Sequence, residues 1–374
     1  MIFNIKKRLQ NFFKYLAYKI FSLAHGQIKG VLPPNNNKVQ VDKISISENL
    51  YKIYTLQSAR VYTDTINDTA FIINNYLVDG PSFQIRNVKN DSIEKNIIFN
   101  KGTPRIQKKF KGSVLSLLTG GAGNSNYWHW LFDVLPRFEI LSKLKNIKEI
   151  DYFLLPSLEE KFQKETLATL KIPLNKRVSS KLFRHIRADQ ILSTDHPYVS
   201  DNATIQIQNI PIWIIEWLKK SFISNIDKNI STMPKNFYID RKDSKSNHNY
   251  LRKIINENEV KTVLTQYNFK TVTLSELSFL EQVKLFNNAE NIVGLHGAGF
   301  ANLVFCKKKT NVLELRTNTT GLVIENLGKN NHLNFKDITL KADSNDFNNQ
   351  LGHIRVPIEI LKKQLNYMLD NKAY

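Results

Sequence analysis

Asn291-Ile-Val-Gly-Leu-His-Gly-Ala-Gly-Phe-Ala-Asn302 is the stretch on which the fold turns. Asn291 to Gly294 reads as a short buried strand, and Phe300 to Phe305 as a short helix. Between them Gly297, Ala298 and Gly299 form a turn of small residues that lets main chain approach a ligand closely. Free amides at a helix start point outward and favour phosphate. His296 and Asn302 add side-chain donors at the same end. In an open α/β sheet, ligands bind at this carboxyl edge of the strands. The spacing is not G-x-G-x-x-G, which argues against ordinary NAD binding. Plain helix–strand packing also uses small residues, so a tight turn with a core histidine fits as well. An esterase oxyanion loop would need a G-x-S-x-G elbow, and the sequence has none.

The same alternation extends outward. Asn236-Phe-Tyr-Ile239, Lys270-Thr-Val-Thr273 and Asn311-Val-Leu-Glu-Leu315 read as strands. Helices are expected over Tyr250–Asn258, from the capping box Ser278-Phe-Leu-Glu281 through Ala289, and over Val356–Met368. Strands and helices in turn with short connections predict a parallel sheet covered on both faces. The first half is less regular. Residues 39–118 hold short β-rich runs such as Ala70–Ile73 and Ser113–Leu118. Gly120–Asn126 reads as a flexible loop, Tyr127–Leu144 and Glu159–Leu170 as helices, and Asp151–Leu155 as a strand. Pro211–Ile223 is a Trp-rich helix, and Ser231–Lys235 looks like the break between two halves.

Two further groups carry chemistry. Arg241 ends the strand Asn236–Ile239, Arg252 follows, and Asn256-Glu257 comes one turn later. An arginine fork matches phosphate oxygens, so Arg241 could clamp a diphosphate. A solvated surface pair is the bland reading, and it suits Arg252 better than Arg241. His129 and Asp133 stand four apart in Asn126–Arg137 and share a helical face. They could act as a general base on a hydroxyl, or form a hydrogen-bonded pair on a polar face. Pro136 is placed to kink or end that helix.

Composition narrows the classes. The chain has 374 residues, 42% hydrophobic and 23% charged, which suits about two folded domains. One cysteine, Cys306, excludes a disulfide scaffold. Lys and Arg number 53 against 33 Asp and Glu, a net +20, so an anionic partner is expected. Residues Met1–Gly26 carry basic residues, no acid, and apolar residues stepping by three and four. That pattern suits a helix lying on an anionic membrane surface, or one packed on the protein body. The basic residues are spread along the chain without a nucleic-acid-binding module, so no nucleic acid is expected. No Asp-x-Asp pair occurs, and no other cluster completes a metal site.

These motifs, in this order, resemble glycosyltransferase family 61. The resemblance rests on Asn126–Arg137, Arg241, Asn256-Glu257, Glu276, Gln282, His296-Gly-Ala-Gly299, Asn302 and Glu314, and covers roughly residues 115–320. It implies an α/β fold of GT-B type, with two Rossmann-like domains facing across a cleft. It also implies an inverting transfer from a nucleotide-sugar donor, a UDP-sugar first among them. Carried over, Arg241, Arg252, Asn256, Glu276, His296, Gly297, Ala298, Gly299, Asn302 and Glu314 become donor-site candidates. Asp133 becomes the candidate base, with His129 as partner or substitute.

The expected organisation is an amphipathic basic helix over 1–30 and an acceptor-side domain over 31–232. A nucleotide-sugar domain over 233–355 follows, then a last helix over 356–374 that crosses back to the first domain. The expected activity is a metal-independent transferase with no obligatory cofactor. It would sit on the cytoplasmic face of the plasma membrane and act on a glycan or lipid-linked oligosaccharide in surface-polysaccharide synthesis. The alternatives are an inactive glycan- or nucleotide-binding protein and, behind it, a nucleic-acid binder.

Overall fold

The computed structural model describes residues 2–63, 69–82, 92–118, 125–198, 209–226, 233–243, 252–342 and 352–370. Most of the predicted Gly120–Asn126 loop, residues 231 and 232 of the predicted break, and residues 250 and 251 lie outside these. The chain divides into two compact units. One is Met1–Lys164 with Lys171–Ala203, and the other is Glu165–Leu170 with Thr204–Tyr374. The expected border at residue 232 therefore moves to 203. The reason is the helix Ile212–Phe222, whose Phe222 packs edge-on against Phe279 and Phe305 of the second unit.

Among the described residues, the first unit holds ten strands in one sheet. They are β1 Gly30–Leu32, β2 Val39–Ile46, β3 Asn49–Gln57, β4 Arg60–Thr63, β5 Thr69–Ile73, β6 Tyr76–Val78, β7 Lys108–Ser116, β8 Tyr152–Leu155, β9 Arg177–Ser179 and β10 His185–Thr194. The main order is β1-β6-β5-β4-β10-β7-β8-β9, with β3 also on β10 and β2 on β3. Strands β10, β7, β8 and β9 run parallel to one another, and β1 runs parallel to β6. The sheet of this half is therefore mixed and not wholly parallel, with antiparallel pairs at β10–β3, β10–β4, β2–β3, β4–β5 and β5–β6. Two-residue turns explain the difference, since they can join only antiparallel neighbours. Asn74 and Asn75, both with positive φ, link β5 to β6 in this way.

The helix Ile2–His25 precedes that sheet. Gly26, at φ +76°, ends it by returning its amide to Ser22 O at 2.9 Å. Near its end Phe21 stacks on His25, and His25 meets His185 edge-on. Leu9, Phe12, Phe13, Leu16, Ile20 and Leu23 stay exposed on the helix. No described helix is long and apolar enough to cross a membrane.

The second unit is the predicted parallel sheet. Its strands are β11 Asn236–Asp240, β12 Lys270–Thr273, β13 Asn291–Leu295, β14 Asn311–Thr317 and β15 Asn334–Leu340, in the order β12-β11-β13-β14-β15. All the pairings are parallel. Side chains alternate between faces. Tyr238, Val293, Leu313 and Ile338 share a core with Val260 and Leu264 of helix Glu257–Gln266 and with Leu361 and Leu365 of helix Ile358–Asp370. Phe237 points the other way, its ring 5.2 Å from Phe286 of helix Phe279–Asn288. The last helix therefore completes the second unit's own core.

Two local details differ from or add to the sequence reading. The helix expected over Tyr250–Asn258 instead runs over Glu257–Gln266. Its apolar steps begin only at Val260, and Asn256 is engaged elsewhere: its side chain donates to Val356 O and accepts from Val356 N, both at 2.9 Å. An asparagine ladder crosses the amino edge of the sheet. Asn334 donates to Asn311 at 3.0 Å, Asn311 to Asn291 at 2.8 Å, and Asn291 to Asn236 at 2.7 Å. These four residues are register partners, so the ladder satisfies the buried Asn291 amide and pins the strands together.

Candidate active site

Numbered along the chain, the second sheet has the order 2-1-3-4-5. The connections leaving β11 and β13 therefore diverge, opening a crevice at the carboxyl ends of those two strands. Arg241 directly follows β11, and His296–Gly299 directly follows β13. Arg241 Nη1 donates to His296 O at 2.9 Å, which seats the guanidinium on the turn. His296 N is committed to Leu315 O at 2.9 Å. Phe300 N bonds Gly297 O at 3.1 Å and opens a 3₁₀ helix over Ala298–Phe305. The first amides of such a helix have no partner within it, so they face outward beside Arg241.

The turn is braced from behind. A Cβ on Gly294 would lie 3.2 Å from Ile239 Cβ and 3.0 Å from Phe300 Cζ, so only glycine lets β13 and the helix close up. Asn302 is fully buried and donates to Gln282 Oε1 at 3.0 Å and Gly299 O at 3.2 Å. It thus holds the turn and does not present its amide to a ligand, as the sequence reading expected. Gln282 in turn donates to Leu274 O at 2.9 Å.

Behind the turn lies a charged network. His296 Nδ1 is hydrogen-bonded to Glu314 Oε1. Burial, followed by the guanidiniums of Arg252, Arg241 and Arg316, holds His296 well below the usual imidazole value. Burial pushes the Glu314 carboxyl up to about 8, helped by Asp337 and Glu325 and opposed by Arg316 and Arg252. Both shifts favour the uncharged forms. With Glu314 protonated, its hydroxyl donates to Nδ1 and the ring proton sits on Nε2 as a donor. Arg316 bonds Asp337 at 3.2 Å, Thr339 at 2.9 Å and Glu325 at 3.3 Å. Arg252 lies within electrostatic range of Arg241, His296 and Glu314, and burial chiefly lowers it to about 10. It is no solvated surface residue but part of this cluster.

The remaining candidates fall outside it. Asn256 clamps Val356, as described, and serves the fold. Glu276 stands past β12 at the same sheet edge, exposed and paired with Lys242 Nζ at 2.8 Å.

In the first unit, the segment after Asn126 is helical with one irregular turn. Leu135 N reaches back five residues to Trp130 O at 3.1 Å, making a π-turn over Trp130–Val134 before the helix Pro136–Ser142. Pro136 lacks the amide that an α-helix would need there, which favours the wider turn. Asp133 lies in this turn, 1% exposed. Its Oδ2 accepts from His129 Nδ1 at 2.8 Å and its Oδ1 from Tyr198 OH at 2.5 Å. His196 Nε2 lies 3.5 Å from Oδ2, and Arg137 Nε donates to Asp133 O at 3.0 Å. Burial alone would raise Asp133, but His129 and His196 reverse that and hold it well below the usual carboxylate range. Burial opposes a charge on His129, yet Asp133 overrides it, and the net shift is upward. The His129 side chain keeps 21% of its surface exposed. Asp133 is thus enclosed with both oxygens engaged, and His129 is the member that reaches solvent.

Arg316, His196, Tyr198 and Arg137 were not singled out by sequence. Arg316 was within reach, because it follows Glu314 by two along a strand and so shares its face. Tyr198 comes from 65 residues away, and no local pattern marks it. Among the described residues, no three His, Cys, Asp or Glu side chains gather as a metal site.

No curated protein matches the chain. A family model for glycosyltransferase 61 matches residues 127–313, half of the chain, and this span takes in both the His129–Asp133 pair and the glycine turn. The chain belongs to glycosyltransferase family 61.

Proposed function

We propose that the protein is an inverting glycosyltransferase of GT-B type, with a nucleotide-sugar donor held by its second unit. The observation that carries this is the placement of Arg241 and the His296–Gly299 turn together at the topological switch of a wholly parallel sheet. Helix amides, one guanidinium against the turn and an Nε2 donor on His296 give a diphosphate three kinds of partner. Arg252 adds positive field. The leaving diphosphate gains charge as the glycosidic bond breaks, so these groups serve the transition state more than the ground state.

On the acceptor side, His129 takes the hydroxyl proton at Nε2 as the sugar carbon is attacked. Ionised Asp133 only accepts, so it fixes the proton of neutral His129 on Nδ1 and leaves Nε2 bare. Asp133, named from sequence as the base, becomes the residue that positions it. The exposed apolar stripe on Ile2–His25, flanked by Lys7, Arg8, Lys14 and Lys19, supports a position on an anionic inner membrane leaflet. A lipid-linked or polysaccharide acceptor of surface-glycan synthesis fits that position.

A thermal-shift screen of nucleotide sugars tests the donor reading. One nucleotide family, UDP first, should raise Tm selectively, and no response from any would overturn it. With the responding donor, transfer of labelled sugar should persist in EDTA; complete loss restored by Mn would overturn metal independence. Flotation with phosphatidylglycerol vesicles should fall when Phe12 and Phe13 are both changed to Ser. Unchanged flotation would remove the helix from membrane contact.

A further inference from the structure

A pair of arginines without a carboxylate partner among the described residues lies in the first unit, far in the sequence from either group above. Arg60 on β4 and Arg187 on β10 are direct register partners in an antiparallel pair. Like charges placed opposite one another in a sheet destabilise it. Arg60 is also only 7% exposed. Its hydrogen-bond partners are Asn75 Oδ1 at 2.7 Å and the His185 ring at 3.4 Å, and among the described residues no carboxylate pairs with it. Burial, followed by Arg187, lowers Arg60 to about 10. A buried cation without a counter-charge costs several kcal/mol of solvation, a cost that an arriving anion removes.

The surroundings form a receptacle. A cavity of about 180 Å³ opens over the pair and is lined also by Ser58, Gln107, Asn75 and His25. Water occupies about 30 Å³ per molecule in the liquid, so the space holds a small anion with several waters. None of these side chains is acidic, and Arg60, Arg187, Ser58, Asn75 and Gln107 carry donors; His25 already gives its Nε2 proton to Arg105 O at 3.2 Å and serves as wall. His25 is the last residue of the helix Ile2–His25, and Ala24 forms part of the wall. Leu23, one residue earlier, is 89% exposed at the end of the apolar stripe. The Asn74–Asn75 turn ties the receptacle to the chain leaving the helix, because Lys29 N donates to Asn75 O at 2.8 Å. The mouth therefore lies beside the end of the stripe proposed to meet a membrane.

We infer that Arg60 and Arg187, with His25 in the wall, form a binding site for a phosphate group, supplied by a membrane lipid or a soluble phosphate. The site stands apart from the donor reading, and its test keeps the two separate. Calorimetry with inorganic phosphate is done on the full chain carrying Arg241→Ala, which weakens the donor site. One binding event should remain. Adding Arg187→Gln should weaken it roughly 10- to 100-fold, as expected for a hydrogen bond to a charged group. Arg187 is exposed, so this variant should fold. Arg187→Lys should restore much of the lost affinity. In addition, Arg187→Glu should raise Tm in phosphate-free buffer, since it pairs Arg60, and should abolish phosphate binding. Phosphate affinity unchanged by Arg187→Gln, or no phosphate binding at all in the Arg241→Ala background, would overturn the site. If flotation on phosphatidylglycerol vesicles falls with Arg187→Gln, the source is a lipid headgroup. If flotation holds while phosphate binding is lost, the source is soluble.

Discussion

Replacing His129 by Ala should lower kcat by roughly 10²- to 10⁴-fold, the range typical for loss of a general base. Calorimetric affinity for the nucleotide sugar should stay unchanged, because His129 lies in the first unit and the donor groups in the second. Asp133→Asn should cost a comparable factor for a different reason. An amide can donate to Nδ1, which moves the ring proton to Nε2 and blocks the base. The pH profile separates the two roles. Asp133 holds His129 above its ordinary 6.5, so kcat/KM of the native protein should decline as pH falls through a value above 6.5. In Asp133→Asn burial acts alone, and the residual rate should decline at lower pH. A His129→Ala protein with near-native kcat would remove the base from this position.

Arg241→Ala should weaken nucleoside-diphosphate binding by about 2–5 kcal/mol, roughly 30- to several-thousand-fold, as when one partner of a desolvated charge pair is lost. Arg241 does two things at the turn. It brings positive charge, and its bond to His296 O holds the turn whose amides are proposed to meet the diphosphate. Lys at this position keeps the charge but not the fork, so it should recover only part of the affinity. Salt should weaken binding to the native protein more than to the variant, since fewer charges remain to screen. Equal affinity of both proteins by calorimetry would take Arg241 out of the site.

Much of the second unit was legible because its signals are local. The capping box at Ser278 and Glu281 is present as read, with Ser278 N on Glu281 Oε2 at 2.6 Å. Strands β11 to β14 lie within one or two residues of the apolar runs that announce them. The helix expected over Tyr250–Asn258 begins only at Glu257, because a distant contact holds Asn256 outside it. Asn256 bonds a residue 100 positions away, a fact no window around it contains. The first unit was harder for the same reason. Strand β10 pairs with β3, β4 and β7, all contributed by distant stretches, so the mixed direction of its sheet is fixed by long-range contacts. At the candidate site, His129 and Asp133 were legible as neighbours on one face. Their roles were not, because Tyr198, His196 and burial decide which of the two meets solvent.

The asparagine ladder divides labour between the two ends of the second sheet. Like the rivet of a fan, it fastens β11, β13, β14 and β15 where no ligand group stands. The opposite ends can then tolerate insertions, deletions and new side chains without the blades slipping past one another. Such a scaffold lets one lineage rebuild its recognition loops repeatedly while keeping the same frame.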